Sequence, residues 1–247
     1  MTHHGDYRQW PFLNPEEFEL ANAFFEQKYM GVTLGRTRKV FRVRLRRVMT
    51  TGESYITIMR LLQPPEDADA DELSLALARL SGGGERGEKQ DLTIDVDMKM
   101  DTTEEEADDE ALSQPLGPPR YTQYSDQPFV TYEIHLHPTY RMPTLWFTLH
   151  SLPMGEPTFD LDSVYRYLVP TEYKSRLRAA GITGGFSAAP HPITGIPAFF
   201  VHPCQTKEAM ESFDCSLRNY LMVWLGLVGG CVGLWVPPEM AQIGDSD

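Results

Sequence analysis

The sequence predicts an α+β fold: an antiparallel meander sheet of about four strands flanked by helices, with a disordered acidic insertion between the second and third strands. Three observations carry this. A capped helical segment near the start leads into two pairs of alternating apolar segments. A stretch of quite different composition separates those pairs. After them, a short apolar run ends in His202-Pro203-Cys204 and is followed by a long stretch of helical spacing.

The elements follow in order. Asn14-Pro15-Glu16-Glu17 supplies an N-cap, a proline at the first helical position and a capping-box glutamate. Phe18, Ala21 and Phe25 share one face of that helix, and Gly31 stops it. Phe41, Val43 and Leu45 alternate with Arg42, Arg44 and Arg46, the period of a half-buried strand with a basic outer face. Thr50 to Glu53 turns the chain and Tyr55 to Leu62 returns. The arginine row reads as a solvated face, with an acidic partner or the chain's own acidic segment as its functional alternative. Beyond the insertion, Val130, Tyr132, Ile134 and Leu136 fall on one strand face, and Leu145, Phe147 and Leu149 on another. Asp160 opens a short helix over Val164 to Leu168, with a further turn at Lys174 to Ala180. Gly181 to Pro192 reads as a glycine- and proline-rich loop. Ile196 to Val201 is a buried strand. Lys207 to Leu225 carries apolar residues at helical spacing, Met210, Phe213, Leu217, Tyr220, Leu221, Trp224 and Leu225, as one long helix.

Charge locates the insertion. Pro64 to Ser113 holds 17 Asp and Glu against 4 Lys and Arg, which leaves 18 of the chain's 35 acids against 18 of its 22 bases elsewhere. The whole formal charge of −13 therefore lies in one segment, and the folded part is neutral. Pro64 to about Arg120 cannot bury enough apolar surface to offset its ordering entropy. The organisation is thus residues 1–63, helix and first hairpin; 64–120, insertion; 121–240, second hairpin, His-Pro-Cys segment and last helices of the same domain; and 241–247, a tail. A neutral folded part without a basic loop argues against nucleic-acid binding.

Three cysteines, Cys204, Cys215 and Cys231, lack CxxC spacing, which disfavours a disulfide framework and a cysteine-rich zinc site. With no signal peptide at the start, a reducing cytoplasmic location is expected. The uncharged run Leu221 to Val236 is sixteen residues and glycine-broken, too short for a membrane span, and reads as core. His135 and His137 lie two apart, but a third ligand is not evident, so no metal and no cofactor are expected.

Cys204 is the candidate nucleophile. Pro203 cannot donate to a sheet ladder and restrains His202 to extended geometry, so the strand stops there and Cys204 sits at its exit. Thr206 reads as a helix N-cap with Glu208 in the first turn, an end that favours thiolate over thiol. His202 either assists as a base or caps backbone; the sequence leaves both open.

The layout and the tripeptide His202-Pro203-Cys204 resemble the autophagy branch of the ubiquitin-conjugating superfamily. Ordinary members carry an HPN motif ahead of the cysteine. This chain has HPT at 137, HPI at 191 and HPC at 202, and no HPN. The run His191 to Thr206 and the ending from Asn219 through Pro237 look like the protein-conjugating, rather than the lipid-conjugating, enzyme of that branch. The resemblance implies a ubiquitin-conjugating-like fold and a transferase that holds a ubiquitin-like modifier as a thioester on Cys204 and passes it to a lysine. It further implies autophagy-related protein 12 as modifier, autophagy-related protein 7 as activating enzyme and autophagy-related protein 5 as acceptor. A cytoplasmic enzyme recruited by partners to autophagosome-forming membranes is the expected setting. The lipid-conjugating relative is the alternative, followed by a cysteine hydrolase and an inert binding module of the same fold.

Overall fold

The computed structural model describes residues 7–62, 127–203 and 206–241, without the side chains of 180–184. The acidic insertion expected over 64–120, Cys204 and the tail beyond 241 lie outside the described residues. The described part is α+β.

Helix α1 (Pro15–Gly31) starts where its caps dictate. Asn14 Oδ1 accepts the Glu17 N–H at 2.8 Å and Glu17 Oε2 accepts the Asn14 N–H at 2.7 Å, a reciprocal capping box. A four-residue turn of helix, α2 (Thr37–Val40), leads into β1 (Phe41–Arg47), then β2 (Ser54–Leu61), β3 (Phe129–Leu136) and β4 (Pro143–His150). Helices α3 (Leu161–Tyr167) and α4 (Thr171–Gly184) follow, then β5 (Phe186–Pro190) and β6 (Pro197–Val201). The chain closes with α5 (Thr206–Glu211), α6 (Tyr220–Val228) and short 3-10 turns.

All six strands form one antiparallel sheet in the order β1-β2-β3-β4-β6-β5. Four meander strands were expected, together with the strand before Cys204. The sixth, β5, occupies what was read as loop, and α4 continues to Gly184 where only a turn was expected. Ser187, Ala188 and Ala189 carry almost no apolar side chain, so no periodic signal marks β5; pairing with β6 makes it a strand.

Register lays the side chains out in rows across the sheet. Leu45, Ile56, Ile134, Leu145, Val201 and Phe186 form one row, and Val43, Ile58, Tyr132, Phe147, Phe199 and Ala188 the next but one. Helices α1 and α6 cover these rows, all of which except the exposed Ala188 join or pack against a single core with Phe18, Phe25, Leu221 and Trp224. Tyr132 donates its hydroxyl to the Val232 carbonyl at 2.7 Å, tying the sheet to the C-terminal turn. Gly233 has φ +64°, and a Cβ there would stand 2.5 Å from the Leu168 carbonyl oxygen, so only glycine permits that approach.

The first edge of the sheet is blocked by α1. Glu26 accepts the Leu45 N–H at 2.9 Å and Tyr29 donates to the Phe41 carbonyl at 3.3 Å, filling main-chain positions that a further strand would use. Arg47, at the end of β1 on the same face as Leu45, pairs with Glu19 of the same helix.

The expected helix over Lys207 to Leu225 is broken. Residues 213–216 are irregular between α5 and the 3-10 turn Leu217–Asn219. Tyr7 donates to the Cys215 carbonyl at 3.0 Å, taking an acceptor that a continuous helix would need, and the Ser212 hydroxyl bonds back to Glu208. Phe213, placed in the core by its spacing, is therefore exposed, whereas Cys215 is buried. Leu221 to Val236 supplies core residues as expected, among them Leu221, Trp224, Leu225, Val228, Val232 and Leu234, but Leu227 and Trp235 are exposed. No helix of the described residues is long and apolar enough to cross a membrane.

Candidate functional site

Three hairpins share one turn. In each, the first residue donates its N–H to a carbonyl five residues on and accepts from the N–H four residues on: Val48 with Glu53 and Gly52, His137 with Met142 and Arg141, His191 with Ile196 and Gly195. The fifth residue adopts positive φ in every case, at Gly52, Arg141 and Gly195. Two of these turns begin His-Pro. There the imidazole Nδ1 stands in for an Asx side chain: it accepts the N–H groups of Thr139 and Tyr140 at 3.2 Å in the first turn, and of Ile193 and Thr194 at 3.4 Å in the second. An accepting Nδ1 leaves the proton on Nε2, so His137 and His191 are neutral donors rather than bases.

The third His-Pro, at His202-Pro203, does not open a hairpin. It follows β6, which pairs with β4 through Leu145–Val201, Trp146–Phe200 and Phe147–Phe199 alone. Tyr140, at the tip of the β3–β4 turn, presents its ring edge-on to His202 at 5.4 Å and to His137 at 4.7 Å. Partial burial and the His202 charge both lower the pKa of His137. On the far side of the segment, Thr206 is the first residue of α5 and donates its hydroxyl to the Pro203 carbonyl at 2.6 Å. It is the first helical residue rather than the expected N-cap. Helix α5 has only six residues, so its dipole at the segment is small.

Cys204 itself is outside the described residues; His202 and Pro203 on one side and Thr206 on the other frame it. The other two cysteines are held as thiols. Burial pushes Cys231 up to about 11, and burial also raises Cys215, opposed by its Tyr7 contact. Cys215 is a core residue, and Cys231, in the run expected to be core, is half-buried against the core.

The sheet face away from α1 holds a second constellation. Glu133 Oε2 accepts from Nε2 of His135 at 2.9 Å and from Nε2 of His191 at 3.1 Å. Burial alone would raise the Glu133 carboxyl, but the two hydrogen bonds outweigh it and hold the pKa at about 2. Burial lowers His135, and the Glu133 bond only partly offsets it. Ring contacts continue outward: Tyr55 stacks on His135, Trp146 meets His191 edge-on and stacks on Phe200, and Phe200 leans on His202. A chain of rings thus runs from β2 to the His-Pro-Cys segment.

Glu133, His135 and His191 also have the donor types of a metal site, their candidate ligand atoms lying within 4.8 Å of one another. His135 therefore has two further donors close by, where the spacing with His137 offered none. The proton placement opposes a metal, because His191 would have to ligate through Nε2, the nitrogen that carries its hydrogen, and move that proton onto an Nδ1 already facing two N–H groups. Glu133, His191, Trp146 and Tyr140 were missed from sequence. The available signal was the repeated His-Pro, found at 137, 191 and 202 but not read as a turn.

A leading helix, an antiparallel meander and a core helix after the last central strand make the α+β arrangement expected of a conjugating-type fold. The chain belongs to the family described as autophagocytosis-associated protein, active-site domain, which matches residues 17–239. It is 48% identical over 238 residues to the ubiquitin-like-conjugating enzyme ATG10 of Gibberella zeae, covering 94% of this chain and 97% of that one. It is 32% identical over 126 residues to the ubiquitin-like-conjugating enzyme ATG10 of Homo sapiens, covering 48% and 56%. The crystal structure of the autophagic E2 Atg10 aligns over 90% of this chain and 98% of its own, with a TM-score of 0.38 and 11% identity.

Proposed function

We propose that the chain is a ubiquitin-like-conjugating enzyme whose Cys204 carries the modifier as a thioester and passes it to a lysine of an acceptor protein. The carrying observation is a family match spanning nearly the whole chain that includes a His-Pro-Cys segment leaving a central strand. The Cys204 thiolate attacks the carbonyl carbon of the modifier's C-terminal thioester on the activating enzyme; a new C–S bond forms and the activating enzyme's thiolate leaves. The acceptor amine then attacks the same carbon, forms a C–N bond and gives up a proton, while Cys204 departs as thiolate. Cysteine serves both steps because it is nucleophilic near neutral pH and leaves more readily than an alkoxide.

His202 lies two residues before the nucleophile and is ringed by Phe200 and Tyr140, which suits it to orienting the segment. The imidazoles of His137 and His191 are committed as turn caps, and His202 is the histidine nearest in sequence to Cys204. The partners follow the resemblance: autophagy-related protein 12 as modifier, autophagy-related protein 7 as activating enzyme, autophagy-related protein 5 as acceptor. The setting is the cytoplasm.

The test is to mix the protein with activating enzyme, modifier and ATP. Intact mass should show one modifier added, lost under thiol reductant, and Cys204→Ser should give an oxyester that resists the reductant. No adduct on either form overturns the proposal.

A further inference from the structure

The β5–β6 hairpin leads straight into His202, yet its ladder to the rest of the sheet is three residue pairs long. Such a ladder is weak by itself, since a short edge pairing opens far more readily than the core strands. A second attachment exists. His191, in the turn of that hairpin and 8% exposed, reaches across β4 to the carboxylate of Glu133 on β3. Its Nδ1 is engaged by the turn, so its Nε2–H is a donor, and a largely buried carboxylate is the acceptor that satisfies it. His135 donates to the same oxygen, and Trp146 lies between the triad and Phe200.

We propose that Glu133 is a positioning residue for acyl transfer: through His191 it clasps the β5–β6 hairpin in the register that delivers His202 and the segment after it. The chemical consequence rests on the reading of Cys204 as the thioester site, whereas the clasp does not. A carboxylate is favoured because both imidazole N–H groups donate to one of its oxygens and its charge strengthens both bonds. Glutamine in its place keeps the size and an acceptor oxygen but loses that charge. Asparagine in place of His191 does the converse, since its carbonyl can still accept the turn N–H groups but nothing reaches Glu133.

Two variants of the full chain test this, Glu133→Gln and His191→Asn. In both, amide hydrogen exchange over residues 186–201 should rise about tenfold while β1, β2 and β3 stay as in the wild type. In Glu133→Gln the His135 ring resonance should also titrate at lower pH, because the carboxylate that supported its charged form is gone. In single-turnover discharge of the charged protein, the rate at saturating acceptor should fall about tenfold with acceptor KM unchanged, as expected when a reacting group is misplaced rather than a binding surface lost. Wild-type exchange in both variants overturns the clasp. Raised exchange with unchanged discharge overturns the positioning role. Failure of the wild type to form any thioester overturns the reading of Cys204 instead, and exchange and titration then decide the clasp alone. Should Glu133→Gln not fold, His191→Asn, which leaves the carboxylate in place, decides both points by itself.

Discussion

The two faces of the sheet are one residue out of step and obey different rules. On the inner face the row Leu45, Ile56, Ile134, Leu145, Val201 and Phe186 is apolar from edge to edge. One position along, Arg44, Thr57, Glu133, Trp146, Phe200 and Ser187 form the outer row, which alternates charge, hydroxyl and aromatic ring. The inner face holds the fold by burial, which is additive and indifferent to detail. The outer face holds one hairpin by directed contacts, each of which needs a particular partner. The sharpest way to break the inner face is Trp224→Ala, which empties a site 1% exposed. Chemical denaturation should show a loss of about 3–5 kcal/mol, spread over the whole domain. Trp146→Ala on the half-buried outer row should cost roughly half as much, because less area leaves water, and should concentrate its effect in hydrogen exchange at β5 and β6.

The same contrast explains what the sequence made legible. Alternation alone located β1 to β4 and nearly their ends, because each inner-face residue is apolar for the same reason. The cap at Asn14 and the apolar spacing of Tyr220, Leu221 and Trp224 were equally readable. Helix continuity past Met210 was not, since the break depends on Tyr7 taking the Cys215 carbonyl from some two hundred residues away. Strand β5 was invisible because it borrows its stability from β6 and its residues have no strong preference of their own. Cys204 and His202 stood out through a local motif. Glu133 could not, because its role exists only once β3 and the β5–β6 turn meet.

Acid should separate the faces again. His150 stacks on Phe129 at the outer face, and burial pulls its pKa down to about 4. A histidine whose folded pKa lies below its unfolded value of 6.5 gives up stability as pH falls from 6.5 towards 4, at most about 3 kcal/mol. Glu133 is shifted in the same direction, although there the charged form is the one the fold favours. Its folded pKa of about 2 lies below the unfolded 4.5, so its contribution is present above 4.5 and is lost as pH falls from there to 2, again at most about 3 kcal/mol. Stability against pH should therefore fall in two legs. His150→Phe, which keeps the stacking, should remove most of the upper leg, and Glu133→Gln the lower one; a curve unchanged by either substitution would show that these groups titrate alike in folded and unfolded chains.

The smallest expected effect on stability is at Tyr140, and it distinguishes packing from positioning most cleanly. Tyr140 is 40% exposed, so little apolar area is at stake, and its contribution is the two edge-on contacts to His137 and His202. Contacts of that type are worth about 0.5–1.5 kcal/mol when buried and less where water reaches them, so Tyr140→Ala should cost under about 1 kcal/mol. Tyr140→Phe keeps both ring contacts and should be neutral. If His202 is oriented by the ring, its imidazole resonances should shift in Tyr140→Ala and stay in place in Tyr140→Phe, with discharge of the thioester slowed only in the former. A slowing in both would instead assign the role to the hydroxyl, which in an exposed tyrosine at the turn tip is free to meet an incoming amine. Either result leaves the inner face untouched, since Tyr140 contributes nothing to the core that α1 and α6 enclose.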